Sequence, residues 1–335
     1  MGRRPRTVPG ADGLLLVDKP AGISSAAVVA KARRIFGGVK AGHTGTLDPF
    51  ATGLLPLALG EATKLAGYLT DSDKSYCGTI RFGVTTDTLD RTGTETGRVP
   101  VPPFDDAVLE GLAAAFRGEI VQVPPAFSAI KRDGRPMYEL ARLGEAPELE
   151  ARPVRVDRLE LHAAGTDTAT ITIDCSKGFY VRSLARDLGA ALGCGAVLQE
   201  LRRTRVGRLA VESSVTLETL AAMEDPATAL VPLVDALAHL RLVEVAAEAA
   251  LDLRQGRQRA LGGLGSGRSG ERVRVVCGSD LVAVAGMHEG LWKLERVFTQ
   301  AARRSAAPCP PREFLLSAAV SQMEEEEKER SESRD

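Results

Sequence analysis

The segment from Gly42 to Pro56 constrains the fold of this chain most, because it places three glycines, one histidine and one aspartate within fifteen positions. Glycine allows backbone conformations and close approaches that other residues resist. Asp48 has no neighbouring carboxylate, and Pro49 follows it. An aspartate followed by a proline is typical of a helix start, with the aspartate as cap. The pattern alone therefore leaves two hypotheses for Asp48: a helix cap or a catalytic carboxylate.

Length and composition predict a soluble globular protein. The 335 residues, 44% hydrophobic and 26% charged, suffice for one large domain and a smaller one. The chain contains no apolar run of about 18 residues, so we expect no membrane span. The basic start, Met1 to Arg6, is followed by no apolar segment of the length that a secretory signal needs. We therefore expect a cytoplasmic protein.

Cysteine and histidine spacing argues against disulfides and metal sites. The five cysteines are odd in number, widely spread, and form no C-x-x-C pair. The four histidines form no H-x-x-x-H pattern. The sequence therefore predicts free thiols in a reducing compartment and no bound metal.

The net charge of −1 hides an uneven distribution of charge. Residues 321–335 hold seven acidic and three basic residues, so the remaining 320 residues hold 40 basic and 37 acidic ones. Residues 1–50 carry eight bases and three acids, and residues 177–208 carry seven bases and two acids. Such basic blocks can attract phosphate, although an arginine-rich composition fits a solvated face equally well.

Two glycine patterns approach known phosphate-binding motifs without matching them. Residues 37–44 follow the spacing of a phosphate loop, but the lysine that would contact the terminal phosphates is missing. Residues 265–270 spell G-x-G-x-x-G, but they lead into a predicted strand rather than from a strand into a helix. We therefore expect neither nucleotide hydrolysis nor dinucleotide binding.

Hydrophobic periodicity predicts a mixture of helices and strands. Helices are expected after Ser24 or Ser25 and over residues 61–69, 104–116 and 180–192. Strands are expected over residues 13–17, 75–84, 154–161, 168–175, 198–206, 272–277, 281–285 and 291–297. The charged stretch 119–158 is expected to be an exposed excursion from the core.

Several segments together resemble the bacterial tRNA pseudouridine synthases of the TruB type, from about Gly13 to Phe298. The segments stand in the same order as in that family. They are residues 16–20, 42–56, 60–64, 71–76, 86–90, 124–129 leading to Lys131, 175–182 and 201–204.

The resemblance implies an α/β (α+β) fold: a catalytic domain with a central mixed, largely antiparallel sheet, and a small β-rich, PUA-like C-terminal domain. The implied divisions are a basic arm over 1–12, the catalytic domain over 13–235 with a thumb-like RNA-contacting excursion at 124–152, the PUA-like domain over 240–298, and a disordered acidic tail over 299–335.

The resemblance also implies a function, the isomerisation of one uridine in the T-loop of tRNA (position 55) to pseudouridine. Asp48 matches the essential carboxylate of the family and Arg182 the arginine that pairs with it. Four further residues match those that hold the flipped uridine, with Tyr76 stacking on the base: His43, Tyr76, Tyr180 and Leu201. Lys19 and Pro20 match a second motif whose role is mainly structural.

The chemistry of this reaction suits those residues. A glycosidic bond breaks, the base turns, and a new carbon–carbon bond forms, so neither a cofactor nor a metal is required. A carboxylate can attack the sugar or assist elimination, and a neighbouring arginine favours its ionised form. The stacked target base must be flipped into a pocket, where an aromatic ring can hold it.

Two other functions compete with this hypothesis. The chain could be an RNA-folding chaperone with incidental catalysis, or a guide-dependent pseudouridine synthase like the archaeal and eukaryotic relatives. No segment for an extra protein partner is evident in the sequence. We therefore expect a monomer with tRNA as its partner, no membrane association and no obligatory protein partner.

Overall fold

A ten-stranded mixed sheet forms the centre of the protein. The computed structural model describes residues 11–128, 131–132, 135–136 and 149–298. Ten strands belong to this sheet: β1 (Gly13–Lys19), β2 (Ala41–His43), β3 (Thr52–Leu59), β4 (Lys74–Phe82), β7 (Gly118–Gln122), β10 (Arg152–Ala163), β11 (Thr168–Cys175), β12 (Ala196–Val206), β13 (Leu209–Ala210) and β14 (Leu230–Val231).

Along the sheet the strands run in the order β14-β1-β3-β12-β4-β11-β10-β7, with β2 beside β3 and β13 beside β12. The β3–β12 pair is parallel, and the other pairs of this sheet are antiparallel. The predicted central, largely antiparallel sheet is therefore confirmed.

Helices and short strands connect and cover the sheet. Within the described ranges the helices are α1 (Ser25–Ile35), α2 (Ala66–Thr70), α3 (Asp106–Ala114), α4 (Val181–Leu192), α5 (Leu217–Ala222), α6 (Leu233–Ala236) and α7 (Ala247–Arg254). Short 3-10 helices span Gly60–Leu65, Val211–Ser213, Pro226–Ala229 and Gln258–Leu264. Two small hairpins pair β5 (Val84–Thr86) with β6 (Glu95–Arg98) and β8 (Lys131–Arg132) with β9 (Arg135–Pro136).

Strand β11 shows why the sheet forms where it does. Ala169, Ile171 and Ile173 are buried at alternate positions, so one face of the strand enters the core. Helices α3 and α4 pack on that face through Leu109 and Leu184, which belong to the same hydrophobic cluster. This cluster supports the start of α4, where two of the predicted site residues lie.

The opposite face of the sheet meets a second, four-stranded sheet. Its order is β15 (Arg241–Glu244), β16 (Arg272–Cys277), β17 (Asp280–His288) and β18 (Leu291–Val297). Val284 and Phe298 share a buried cluster with Leu14 and Leu54 of the central sheet. The expected β-rich C-terminal part is confirmed, whereas the domain boundaries and the PUA-like character stay predictions.

Capping residues mark two helix ends as predicted, whereas the helix start considered at Asp48 does not form. The Ser24 hydroxyl caps α1 by accepting from the N–H of Ala27, and Gly193 ends α4 in the left-handed conformation. No helix begins at Asp48, so the capping hypothesis is wrong. The N–H of Ala51 donates to the carbonyl of Asp48 in a turn, and the chain then enters β3. Strand pairing outweighs the local helix-start pattern here.

Parts of three predicted segments lie outside the described residues: the basic arm, most of the 124–152 excursion, and the tail after Phe298. Among the residues that the structure describes, no helix is long and apolar enough to cross a membrane. The four cysteines in this part of the chain are free thiols.

Gly53 permits the close approach of β3 to β12. Its φ of +97° lies in the region that favours glycine, and a Cβ at this position would overlap the backbone of Arg203. We expect Gly53→Ala to lower the free energy of unfolding by more than about 3 kcal/mol, through backbone strain and overlap together.

Gly38→Ala is the matched control, because Gly38 also has a positive φ (+90°) but open space around its Cβ position. It should cost about 1–2 kcal/mol. Urea denaturation of both variants measures the difference. Equal losses would show that β3 does not need the close approach.

Candidate active site

A cavity of about 620 Å³ lies among the loop after β2, strands β4 and β12, and the start of α4. It brings together five of the six predicted site residues, Asp48, Tyr76, Tyr180, Arg182 and Leu201. These residues are separated by up to 153 positions in the chain. The parallel β3–β12 pair and the antiparallel β12–β4 pair place them beside one another.

Asp48 and Arg182 form an ion pair in this cavity. The Nε atom of Arg182 lies 2.9 Å from Oδ2 of Asp48, and its Nη2 atom donates to Oδ1 at 3.1 Å. The side chain of Arg182 is 5% exposed and that of Asp48 is 30% exposed. A planar guanidinium that holds both carboxylate oxygens fixes the orientation of the carboxylate.

The remaining nitrogen contacts of Arg182 anchor it to the surrounding loops. Nη1 donates to the carbonyl of Thr88 and Nη2 to that of Phe127, both at 2.8 Å. The Asp90 carboxylate lies 3.6 Å from Nη1. Arg182 therefore sits between two carboxylates, and Asp48 is the more exposed of the two.

Burial raises the pKa of Asp48 above the ordinary carboxyl value. The positive charge of Arg182 opposes this shift, the negative charge of Asp90 adds to it, and Lys19 opposes it more weakly. As expected from the sequence, the charge of Arg182 favours the ionised form of Asp48. Desolvation outweighs that contribution, so the net shift is upward.

Tyr76 and Leu201 form an apolar part of the cavity wall. Tyr76 on β4 is 9% exposed and Leu201 on β12 is 8% exposed. Burial raises the pKa of the Tyr76 phenol, while the charge of Arg203 opposes the shift. The phenol therefore stays neutral at physiological pH and presents an uncharged aromatic ring beside Asp48.

Tyr180 precedes α4 and lies at the basic rim of the cavity. The guanidinium of Arg152 lies 5.1 Å from the centre of the Tyr180 ring, within the range of a cation–π contact. Arg152 also donates to the carbonyl of Gly178, and Lys177 pairs with Asp71 at 2.9 Å. The rim combines positive charge with an aromatic face, which suits a nucleic-acid strand.

His43 does not belong to the residues that line the cavity. It lies on β2 opposite Leu57 of β3, and its Nδ1 atom is buried without a hydrogen-bond partner. Burial lowers the pKa of its imidazole, and the charge of Arg203 lowers it further. His43 lies two residues before Gly45 and within the electrostatic influence of Arg203, both of which line the cavity, and its assignment to the site stays a prediction.

Lys19 holds the backbone beside Asp48. Its side chain is fully buried, and its Nζ atom donates to the carbonyls of Pro20, Ile23 and Pro49 at 2.8–3.1 Å. Burial lowers the pKa of Lys19 to about 8, against the raising effect of Asp48. Three carbonyl acceptors satisfy the ammonium group in place of water.

Two contributors to the site were not singled out from the sequence, although both lie in segments that resemble the family. Asp90 contacts Arg182, and Arg203 lies fully buried at the edge of the cavity. A single charged residue in a strand or loop carries no periodic signal of burial, so only the tertiary structure identifies them. No group of histidine, cysteine, aspartate or glutamate residues suited to a metal occurs within the described ranges.

Two protein-family descriptions match consecutive parts of the chain. Residues 33–181 match the N-terminal domain of the TruB family pseudouridylate synthases, and residues 182–239 match the C-terminal domain of tRNA pseudouridylate synthase B. The tRNA pseudouridine synthase B of Aromatoleum aromaticum is 53% identical, over 73% of this chain and 80% of the relative. That of Burkholderia mallei is 46% identical, over 88% of this chain and 96% of the relative.

Solved structures show the same fold at lower sequence identity. A Cbf5-Nop10-Gar1 complex superposes with a TM-score of 0.66 and 28% identity, covering 88% of this chain and 89% of the matched chain. An H/ACA RNP bound to a substrate RNA containing 2′-deoxyuridine also gives a TM-score of 0.66, at 24% identity, over 89% of this chain and 90% of that one. The second likeness concerns the fold alone.

The environment of Asp48 predicts an unusual titration. In carboxyl-carbon NMR, Asp48 should titrate above the ordinary value of 3.8, because burial disfavours its charged form. Asp90→Asn removes a nearby negative charge and should lower the pKa of Asp48.

Asp252 is an internal control, since hydrogen bonds from Arg257 and Arg259 lower its pKa and it lies far from Asp90 in the chain. It should titrate below 3.8 in both proteins. An Asp48 that titrates below the ordinary value, or that is insensitive to Asp90→Asn, would contradict the electrostatic description of the site.

Proposed function

The chain belongs to the TruB family of tRNA pseudouridine synthases, and we propose that it converts the uridine at position 55 of the tRNA T-loop to pseudouridine. The ion pair of Asp48 and Arg182 in the cavity carries this proposal. It places an oriented carboxylate beside an aromatic ring, in a space large enough for a nucleotide.

The reaction rearranges one nucleoside without any outside group. The bond between N1 of uracil and C1′ of ribose breaks, the base turns, and C5 bonds to C1′. The proton of C5 is then lost and N1 gains a proton, so the atoms balance and nothing is oxidised. Asp48 serves either as the nucleophile at C1′ or as the base that assists elimination. Arg182 holds the carboxylate in its reactive orientation.

The cavity suits a base that has left its stack. A uridine inside a folded T-loop must be extruded before a protein group can reach C1′. Tyr76 offers a neutral aromatic face, and stacking of this kind contributes on the order of 1–3 kcal/mol per base. Leu201 and Tyr180 complete the wall in this proposal. His43, two residues before the lining residue Gly45, fills space near the extruded uridine in this proposal.

Basic side chains around the cavity support an RNA substrate. Arg152 and Lys177 lie at the rim, and Lys74 lines the interior. Burial lowers the pKa of Lys74 to about 8, and Arg203 adds to this effect. Contacts of this kind bind the phosphate backbone and make affinity depend on salt.

In this proposal the protein acts as a cytoplasmic monomer with tRNA as its only partner.

The chaperone hypothesis remains a second candidate, because the same basic surface would serve RNA binding without catalysis. A guide-dependent reaction has less support, since the relatives at 46–53% identity are named tRNA pseudouridine synthases. The variant Asp48→Asn separates catalysis from binding.

Tritium release from tRNA labelled at C5 of uridine tests the proposal. The intact protein should release one tritium per tRNA, without added metal or nucleotide. Asp48→Asn should bind tRNA normally and release none, because its amide is a poor nucleophile and base. Release by both proteins would contradict the role of Asp48. Binding without release by either protein would favour the chaperone hypothesis.

Arg182→Lys should lower turnover by about 100-fold or more, because lysine cannot hold both carboxylate oxygens in a planar fork. The affinity for tRNA should change little. Arg186→Lys is the matched control, since Arg186 lies one turn further along α4 and contacts Asp187 rather than the cavity. Normal turnover in Arg182→Lys would contradict the pairing.

A further inference from the structure

Polar groups hold the loop around Asp48 at almost every residue. The carbonyls of Gly45 and Thr46 accept from Arg203, and the backbone of Leu47 bonds to Ser25. The carbonyl of Pro49 accepts from the Nζ atom of Lys19 and from the N–H of Gly22. Asp48 lies between these anchors, with its carboxylate directed at Arg182.

Ser25 makes two hydrogen bonds with one loop residue. Its hydroxyl donates to the carbonyl of Leu47 and accepts from the N–H of the same residue, both at 2.9 Å. Ser25 is 2% exposed and begins α1, but Ser24 supplies the cap of that helix. The hydroxyl of Ser25 therefore serves the loop rather than the helix.

Arg203 is buried among carbonyl groups. It is 1% exposed, and its Nε atom donates to the carbonyl of Leu54 at 2.8 Å. Its Nη2 and Nη1 atoms donate to Gly45 and Thr46 at 3.0 and 3.4 Å. Among the described residues it makes no ion pair, and a buried charge without one is costly unless hydrogen bonds satisfy it.

If Ser25 and Arg203 only filled space beside the loop, their polar groups would not be needed. Apolar side chains of similar size fill space without any desolvation cost. The hydrogen bonds of Ser25 and Arg203 reach the residues immediately before Asp48. The position of that loop matters, because a displacement of the reacting groups by about 1 Å can lower the rate by a factor of 100.

We infer that Ser25 and Arg203 are positioning residues that fix the backbone of the loop, and thereby the carboxylate of Asp48, against the sugar of the flipped nucleotide. This inference rests on the proposed role of Asp48. It also explains why the Asp48 carboxylate stays in place when RNA enters the cavity.

Adjacent residues of the same type provide matched controls. Ser24 caps α1 but does not contact the loop. Arg202 neighbours Arg203 on β12, yet it pairs with Asp18 and is 39% exposed. We compare Ser24→Ala with Ser25→Ala, and Arg202→Lys with Arg203→Lys. Each comparison separates an effect on protein stability from an effect on the position of the Asp48 loop.

The full-length variants are tested by single-turnover tritium release at saturating enzyme, by filter binding of tRNA, and by thermal unfolding. Ser24→Ala and Ser25→Ala should each lower the melting temperature by about 2–4 °C, because each loses local hydrogen bonds. Ser25→Ala should also lower the single-turnover rate by about 10- to 100-fold at unchanged tRNA affinity. Ser24→Ala should keep the rate of the intact protein.

Arg203→Lys should show the same selective loss of rate, and Arg202→Lys should not. Equal rates for Ser24→Ala and Ser25→Ala, in folded proteins of equal affinity, would overturn the inference even if Arg203→Lys fails to fold. The intact protein and Asp48→Asn together distinguish this failure from that of the proposed function. An intact protein that releases no tritium would refute the function, and an active Asp48→Asn would refute the role of Asp48. An active intact protein and an inactive Asp48→Asn, together with equal rates for the two serine variants, would refute the positioning role alone.

Discussion

The ion pair between Asp48 and Arg182 is the interaction on which the rest of the site depends. It brings a charged carboxylate into a partly desolvated cavity, where burial alone would favour its neutral form. Arg182 offsets part of that cost and fixes the orientation of the carboxylate. Arg182 in turn needs the carbonyls of Thr88 and Phe127, so loops distant in sequence converge on a single guanidinium.

The sheet supplies the geometry that makes this convergence possible. The parallel pairing of β3 with β12 sets the end of the Asp48 loop beside Arg203, and the antiparallel pairing of β12 with β4 adds Tyr76. Gly53 lets the two backbones approach closely at this point. The loop that carries Asp48 thus leads directly into a paired strand, and the pairing of β3 with β12 restricts its conformation.

The amino-acid sequence predicted the regular parts of the fold well. Strand β11 alternates buried and exposed residues, and α4 ends at a left-handed glycine, so short-range patterns sufficed. Asp48 followed by Pro49 left a helix cap open as an alternative to a catalytic carboxylate, and the helix does not form because pairing of β3 within the sheet outweighs the helix-start preference. Motif resemblance located five residues of the cavity, and the sixth, His43, lies on β2 two residues before the lining residue Gly45. The burial of Arg203 had no signal, since its partners lie about 150 positions away.

The chain belongs to a family of tRNA pseudouridine synthases, and Arg182 holds the Asp48 carboxylate in the cavity through both carboxylate oxygens. The most direct test is to incubate an unmodified tRNA transcript with the protein and to map pseudouridine by carbodiimide labelling and reverse transcription. We expect one modified position, the T-loop uridine at position 55, and none with Asp48→Asn. Modification at other uridines, or at position 55 by the Asp48→Asn protein, would contradict it.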